Sequence, residues 1–310
     1  MQKFFQRDVF IDVIFDQALK DKNIFFISAD FGAPSLDKFR KQLPEQFIHA
    51  GISEQNMIDT AAGLSLAGKK VYVYAMAPFI TLRCLEQIKC SLAMMNLPVT
   101  ILAVGVGLGY ADAGPTHYCN EDIACLRSIV GLDVCSASDA QTTKYLAEIS
   151  LNNPKLRVIR LERHPLKSLY LENEKFEDTG FKILNLGKKT CILSYGHMLH
   201  RSVEAVKNLS LLNINVSLFD VFIFKPISDS LITKLEDYEN ILTIEEHCLD
   251  GGFGSIIIEA TNDKNILKKI NRLGLPNKYY FENGGRENLL DTNGLSIQNI
   301  VDQVILLNNI

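Results

Sequence analysis

Three side chains in this sequence stand where chemistry could be done. Glu54 follows a Gly-Ile turn and opens GISEQNMIDTAAGLSLAG (residues 51–68), an apolar helix in which Ala61, Ala62, Gly63 and Ala67 allow close packing. A carboxylate at a helix N-terminus is favoured by the macrodipole and can accept backbone N–H groups. Taken alone, Glu54 is a first-turn acid on a core helix. Asp30 comes just after the apolar run Ile24–Ser28, at the carboxyl end of an expected buried strand, where open α/β sheets place ligands. Taken alone, it is a turn or cap residue. His117 lies in the glycine-rich GVGLGYADAGPTH that follows the run Val99–Val104. The GVGLG stretch lacks the GxGxxG spacing and leads into a loop instead of a helix, which argues against a dinucleotide site.

The elements that must position these residues read as two α/β units. The 310-residue length suggests two domains. In the first, a helix is expected over Asp8–Lys20 with Asp8 as N-cap. Strands follow at Ile24–Ser28, Val71–Ala75, Val99–Val104, Leu132–Ser136 and Leu156–Leu161. Helices are expected from Glu54, from Pro78 to about Met95, and over Glu121–Ile129 and Asp139–Ser150. This alternation implies a mainly parallel sheet flanked by helices. The polar, turn-rich stretch from Glu162 to Gly187 reads as a linker. A smaller α/β unit follows, with strands at Thr190–Ser194, Asn215–Leu218 and Ile241–Ile244 and helices near 199–212, 228–237, 252–260 and 296–308. The expected division is a first domain over 1–165, a linker over 166–186 and a second domain over 187–310.

Composition excludes several classes. At 47% hydrophobic and 22% charged, the chain can bury a full core. A net charge of -4 leaves no basic footprint for nucleic acid or a membrane surface. The seven cysteines are scattered, without CxxC or zinc spacing, and read as reduced thiols. No metal site is expected in the chain. The opening MQKFFQRDVF breaks its apolar run with Arg7 and Asp8, unlike a signal peptide, and no apolar run approaches the roughly 18 residues of a membrane helix. A cytoplasmic protein is expected.

The motifs, in order, resemble the transketolase family. They are SADFG (28–32), GISEQNM with AAGLSLAGKK (51–70), APF (77–79), GPTH (114–117), EDIACLRSI (121–129), ASDA (137–140) and EEHCLDGGFGS (245–255). The resemblance covers nearly the whole chain and implies a pyrimidine-binding domain followed by a transketolase C-terminal domain. It implies thiamine diphosphate as cofactor, with Glu54 hydrogen-bonded to the pyrimidine ring. A carboxyl whose pKa is raised by burial suits that role. Phe79, with Met76 and Leu82 beside it, matches the apolar stacking positions, although the family's aromatics are aliphatic here at 76 and 82. Asp30 matches the family aspartate near the thiazolium ring. His117 matches the histidine that contacts the substrate carbonyl or hydroxyl. Arg7 and Arg163 match arginines that hold a sugar phosphate, a task suited to arginine, and Ser35 sits near a phosphate-binding serine of the family. Glu245, Glu246, His247 and the GGFG turn match a family motif and are expected to have a structural or interface role.

The departures shape the functional expectation. Gly105 replaces a family histidine, and Ala113 replaces an aspartate that reads a sugar hydroxyl, with Asp112 one place away. An unusual or unphosphorylated sugar is therefore open. The GDG motif and later asparagine, which in the family hold a divalent cation and the diphosphate, have no counterpart here. The resemblance thus implies the C-terminal, β-type subunit of a split transketolase that transfers a two-carbon ketol unit from a ketose to an aldose. An N-terminal partner chain would bring Mg2+ or Ca2+ with the diphosphate domain, in an α2β2 assembly. The alternatives are a 2-oxo-acid dehydrogenase β subunit, a deoxyxylulose-phosphate-synthase-like enzyme, or a catalytically silent binding subunit. GPTH and EDIACLRSI favour the transketolase side, and Glu54 with His117 speaks against silence.

Overall fold

A computed structural model describes residues 3–29 and 32–308 as two α/β units. Asp30 lies outside the described residues. The first unit is built on a seven-stranded sheet in the order 223–225, 133–136, 157–161, 99–104, 70–76, 24–29, 47–51. Every neighbour is parallel except the 223–225 edge. The run Val99–Val104 is buried at every residue, as a strand with helices on both faces requires. The second unit carries a five-stranded sheet in the order 269–275, 240–248, 190–194, 217–221, 181–185, in which only the last is antiparallel. A mainly parallel sheet in each of two units agrees with the expected fold class. Among the described residues no helix is long and apolar enough to cross a membrane.

Several elements differ from the expectation for local reasons. The first helix is Gln6–Ala18, with Phe5 at its N-cap. Asp8 is not the cap. Its carboxylate accepts the Ser35 hydroxyl at 2.8 Å and lies 3.4 Å from Arg7 Nε. The buried Gln6 amide anchors the helix start instead, donating to the Ala137 carbonyl at 2.9 Å and accepting from the Glu162 N–H at 2.7 Å. The helix expected from Pro78 to Met95 is broken into Ala77–Ile80, Leu85–Gln87 and a π-helical Ile88–Ala93. Thr81 Oγ1 bonds back to the Ala77 carbonyl at 2.6 Å, a local competitor that bends helices. Such interruptions recur at functional sites.

Strands Phe47–Gly51, Phe181–Asn185, Ile223–Lys225 and Lys269–Leu275, and helix Gly285–Thr292, carried no clear sequence signal. Phe181–Asn185 falls within the stretch read as linker and pairs with Ser217–Val221. Ile223–Lys225 crosses from the second unit to close the first unit's sheet. Behind it, Phe224 packs on Tyr195 at 4.5 Å and on Phe253 at 5.4 Å between ring centroids. The two units therefore share one apolar core.

Asp220 ties the segment after the first unit to both. It is fully buried and accepts the Ser138 hydroxyl at 2.6 Å and the Tyr170 hydroxyl at 2.8 Å. Burial pushes its carboxyl up to about 7, against these hydrogen bonds. A carboxyl raised on folding binds its proton more tightly in the folded state. Its contribution to stability is present below the unfolded value near 4 and is lost as pH rises through about 7. Urea denaturation from pH 4 to 8 should show this loss, and Asp220→Asn should flatten that part of the profile. An unchanged slope in the variant would show that Asp220 is ionised throughout.

Candidate active site

The close-packed helix Glu54–Leu66 starts at Glu54, whose side chain is only 6% exposed. Its Oε2 accepts from Arg83 Nη1 at 2.7 Å. Arg83 lies in the turns after Ala77–Ile80, where its N–H donates to the Pro78 carbonyl at 3.3 Å. The Arg83 guanidinium also lies over the Phe79 ring, 4.1 Å from its centroid. Phe79 is half-buried and meets the His117 imidazole edge-on at 5.2 Å. His117 lies 6.2 Å from the Tyr110 ring, and the Arg163 guanidinium sits 4.3 Å above Tyr110. Arg163 in turn pairs with Asp112. A continuous chain of contacts thus runs from Glu54 to Asp112 and brings together Glu54, Phe79, His117 and Arg163. Met76 ends strand 70–76, and both Met76 and Leu82 flank Phe79 in half-buried positions. Arg7 and Ser35 meet through Asp8.

Arg83 and Tyr110 were not singled out from sequence. Arg83 lies four residues after Phe79, a spacing that places two side chains on one helical face, so a signal was present. Tyr110 had none. Its ring occupies the space over Gly105, where a Cβ would fall 1.9 Å from Cε2, and Gly105 has φ +83. The ring that supports Arg163 and faces His117 therefore depends on the glycine at 105. Burial pushes the Tyr110 hydroxyl up to about 12, so it stays protonated at neutral pH.

The second unit holds the His117 loop in place. Glu246 Oε1 accepts the Leu108 N–H at 2.7 Å. A Cβ at Gly107, with φ +59, would fall 2.6 Å from that same oxygen. Arg286 neutralises Glu246 through Nε and Nη2, both at 2.8 Å, and reaches Glu162 at 2.6 Å through Nη1. Its charge holds Glu162 down at about 2 despite burial. His247 is fully buried and held down at about 4 by that burial, so it is neutral. Its Nδ1 bonds the Cys248 carbonyl at 2.7 Å, and its Nε2 accepts the Ile123 N–H at 3.1 Å. Glu245 accepts from the N–H groups of Phe253 and Gly254 at 2.6 and 2.9 Å at the start of helix Phe253–Asp263. The EEH run thus touches the first unit directly.

The residues present fit one half of a thiamine cofactor. Glu54 Oε1 has no hydrogen bond among the described residues and can take up a ring nitrogen, while the half-exposed Phe79 offers an apolar surface. Among the described residues no cluster of three or more His, Cys, Asp or Glu is placed to hold a metal ion.

The family models for the transketolase pyrimidine binding domain and the transketolase C-terminal domain match residues 5–168 and 180–300. The chain belongs to the transketolase family. It is 33% identical over 276 residues to the B component of the apulose-4-phosphate transketolase of Phocaeicola vulgatus, covering 88% of each chain. It is 30% identical to the 1-deoxy-D-xylulose-5-phosphate synthase of Caldanaerobacter subterraneus subsp. tengcongensis, covering 96% of this chain but 48% of that enzyme. Among solved structures it is similar to a split-gene transketolase described as an inactive β4 tetramer, with a TM-score of 0.89, 26% identity and 98% of each chain covered. Transketolase-type transferases use thiamine diphosphate, in keeping with the fit of Glu54 and Phe79.

Removing Glu246 tests the clamp. Glu246→Ala leaves Arg286 with one carboxylate and the Leu108 N–H without its acceptor. The expected loss is about 3–5 kcal/mol in urea denaturation, with faster amide exchange across 105–119. Glu246→Gln, which keeps an acceptor for Leu108, should restore the exchange protection more than the stability. Equal exchange in all three proteins would show that the loop is held by other contacts.

Proposed function

We propose that this chain is the C-terminal, β-type subunit of a two-chain transketolase that moves a two-carbon ketol unit from a ketose to an aldose. The observation that carries the reading is the contact chain that joins a buried helix-start carboxylate, Glu54, through Arg83 and Phe79 to His117. Thiamine diphosphate, when bound, supplies a nucleophilic carbon that takes the two-carbon unit from donor to acceptor. Glu54 would share a proton with the pyrimidine ring nitrogen. Phe79, Met76 and Leu82 would line that ring, with Asp30 on the thiazolium side. His117 would hydrogen-bond the substrate oxygen beside the reacting carbon. Arg7, Ser35 and Arg163 would receive the far end of the sugar or sugar phosphate.

A partner chain would complete the site with the diphosphate domain and its Mg2+ or Ca2+, as an α2β2 assembly. Ile52, Leu66 and Met94 support this. They are 78%, 61% and 73% exposed, Ile52 before the helix Glu54–Leu66, Leu66 at its end and Met94 after the π-helical segment, and are apolar side chains that a partner could cover. On this division residues 1–165 carry the cofactor-facing site, and 187–310, joined by strand Phe181–Asn185 from the expected linker 166–186, support it. Tyr110 over Gly105, and Asp112 paired with Arg163, speak for a sugar other than the standard pentose phosphates, and the Phocaeicola vulgatus relative makes apulose 4-phosphate the first donor to assay. The likeness to deoxyxylulose phosphate synthase supports a second reading, tested with pyruvate and glyceraldehyde phosphate.

Calorimetric titration with thiamine diphosphate and magnesium should show binding only when the partner chain is present. Tight binding by the lone chain would overturn the split-site reading. In the two-chain complex, Glu54→Ala should lose on the order of 10²–10⁴ in turnover while assembly survives. Near-normal turnover would remove Glu54 from its central role.

A further inference from the structure

A cavity of about 940 Å3 lies away from the contact chain. It is a cleft open to solvent, lined by the segment after strand 157–161, the helix Gly196–Leu211 and the turn at Gly284–Glu287. None of Glu54, Phe79, Tyr110, His117, Arg7 or Arg163 lines it. A space of this size suits an organic molecule far better than a lone inorganic ion.

The walls have two characters. Leu169, Leu184, Val206 and Leu218 give an apolar side. Lys3 and Lys167 stand at the other. These two lysines are direct partners in the short antiparallel ladder between Lys3–Phe4 and Leu166–Lys167, where like charges face one another at a cost. Among the described residues neither lysine has an acidic partner within 4 Å, whereas Lys207, also on the wall, is paired with Glu204 at 2.8 Å. Cross-strand partners carry their side chains on one face of a ladder, so these two exposed lysines can offer positive charge to one doubly charged head, with Glu204 and Glu287 the acidic residues of the same lining. His164, His197 and His200 add imidazoles to the lining. Burial holds His164 and His200 below the usual histidine range, so at neutral pH they act as neutral hydrogen-bonding groups.

We propose that this cavity is a binding site for an organic monophosphate, with the phosphate between Lys3 and Lys167 and a flat or apolar body against the leucine and valine wall. The site connects to the His117 loop. Arg286 lines the cavity, holds Glu246, and through it holds the Leu108 N–H. A ligand that orders the Gly284–Glu287 turn would therefore steady the loop from 105 to 119, which makes this a regulatory site.

The test uses the full chain with AMP as probe and inorganic phosphate as the control for the head alone. Calorimetry should show saturable AMP binding and weaker phosphate binding. The double variant Lys3→Glu/Lys167→Glu should weaken AMP by about 10- to 100-fold, and Val206→Trp, which fills the cavity, should also abolish it. Arg163→Ala should leave it unchanged. Amide exchange across 105–119 should slow on AMP addition in the wild type and not in the double variant. The proposal is overturned by absence of AMP binding, by equal affinity in the lysine variant, or by loss of binding in Arg163→Ala, which would move the ligand to the sugar site. Because none of these readouts needs turnover, failure here leaves the transferase reading standing.

Discussion

One desolvated charge, the Arg286 guanidinium, holds the two units in a single working geometry. It stands between Glu162, just after strand 157–161 of the first unit, and Glu246, in strand 240–248 of the second. All three side chains are nearly fully buried. A buried ion pair of this kind adds little net stability against an apolar replacement, but leaving one member unpaired is expensive. The cluster therefore acts mainly as a geometric lock. Glu246 is fixed by Arg286, and it can then offer an oxygen to the Leu108 N–H at a set position. Glu162 is fixed in the same way and accepts the His197 N–H at 3.0 Å at the start of the helix Gly196–Leu211.

What the lock positions is a loop with little internal structure. The stretch from 105 to 119 contains turns and one short 3-10 segment, and a loop of that kind relies on outside contacts for its order. It receives them at Leu108 from Glu246 and at Cys119, which exchanges two backbone hydrogen bonds with Gly107 at 2.8 and 2.9 Å. Tyr110 packs down on Gly105 between these points. With both ends of the loop held, His117 is presented to Phe79 and Arg163 rests on Tyr110. The second unit is therefore part of the site's support, although it supplies no residue to the contact chain itself.

The opposite side of the site is built by a different device. Glu54 is placed by a helix start, and Arg83 by the turns of an interrupted helix. A carboxylate buried at a helix N-terminus and paired with a half-exposed arginine can exchange that partner for another hydrogen-bonding group without being left unpaired. The arginine keeps its second contact, the Phe79 face, throughout. The Phe79 face and the Glu54 carboxylate are in this way held by the same arginine.

Much of this was legible in the sequence. The buried parallel strands announced themselves as apolar runs, because a strand covered on both faces leaves no polar alternation. The small-residue helix after Glu54 and the ordered motifs identified the family and the residues that converge. Edge strands such as Phe47–Gly51 and Ile223–Lys225 were not legible, since their half-buried, mixed residues take their pairing from a sheet assembled elsewhere. The broken helix after Pro78 was hidden because a threonine hydroxyl overrides an otherwise continuous helical pattern. Tyr110 over Gly105, the Arg286 lock and the facing pair Lys3 and Lys167 were decided only by the tertiary structure. Their partners lie from five to more than a hundred and sixty positions apart in the chain. Local sequence determines which segments become helix or strand and which residues must be hidden. Which buried charges meet, and which loop they hold, depends on how the two sheets are brought together.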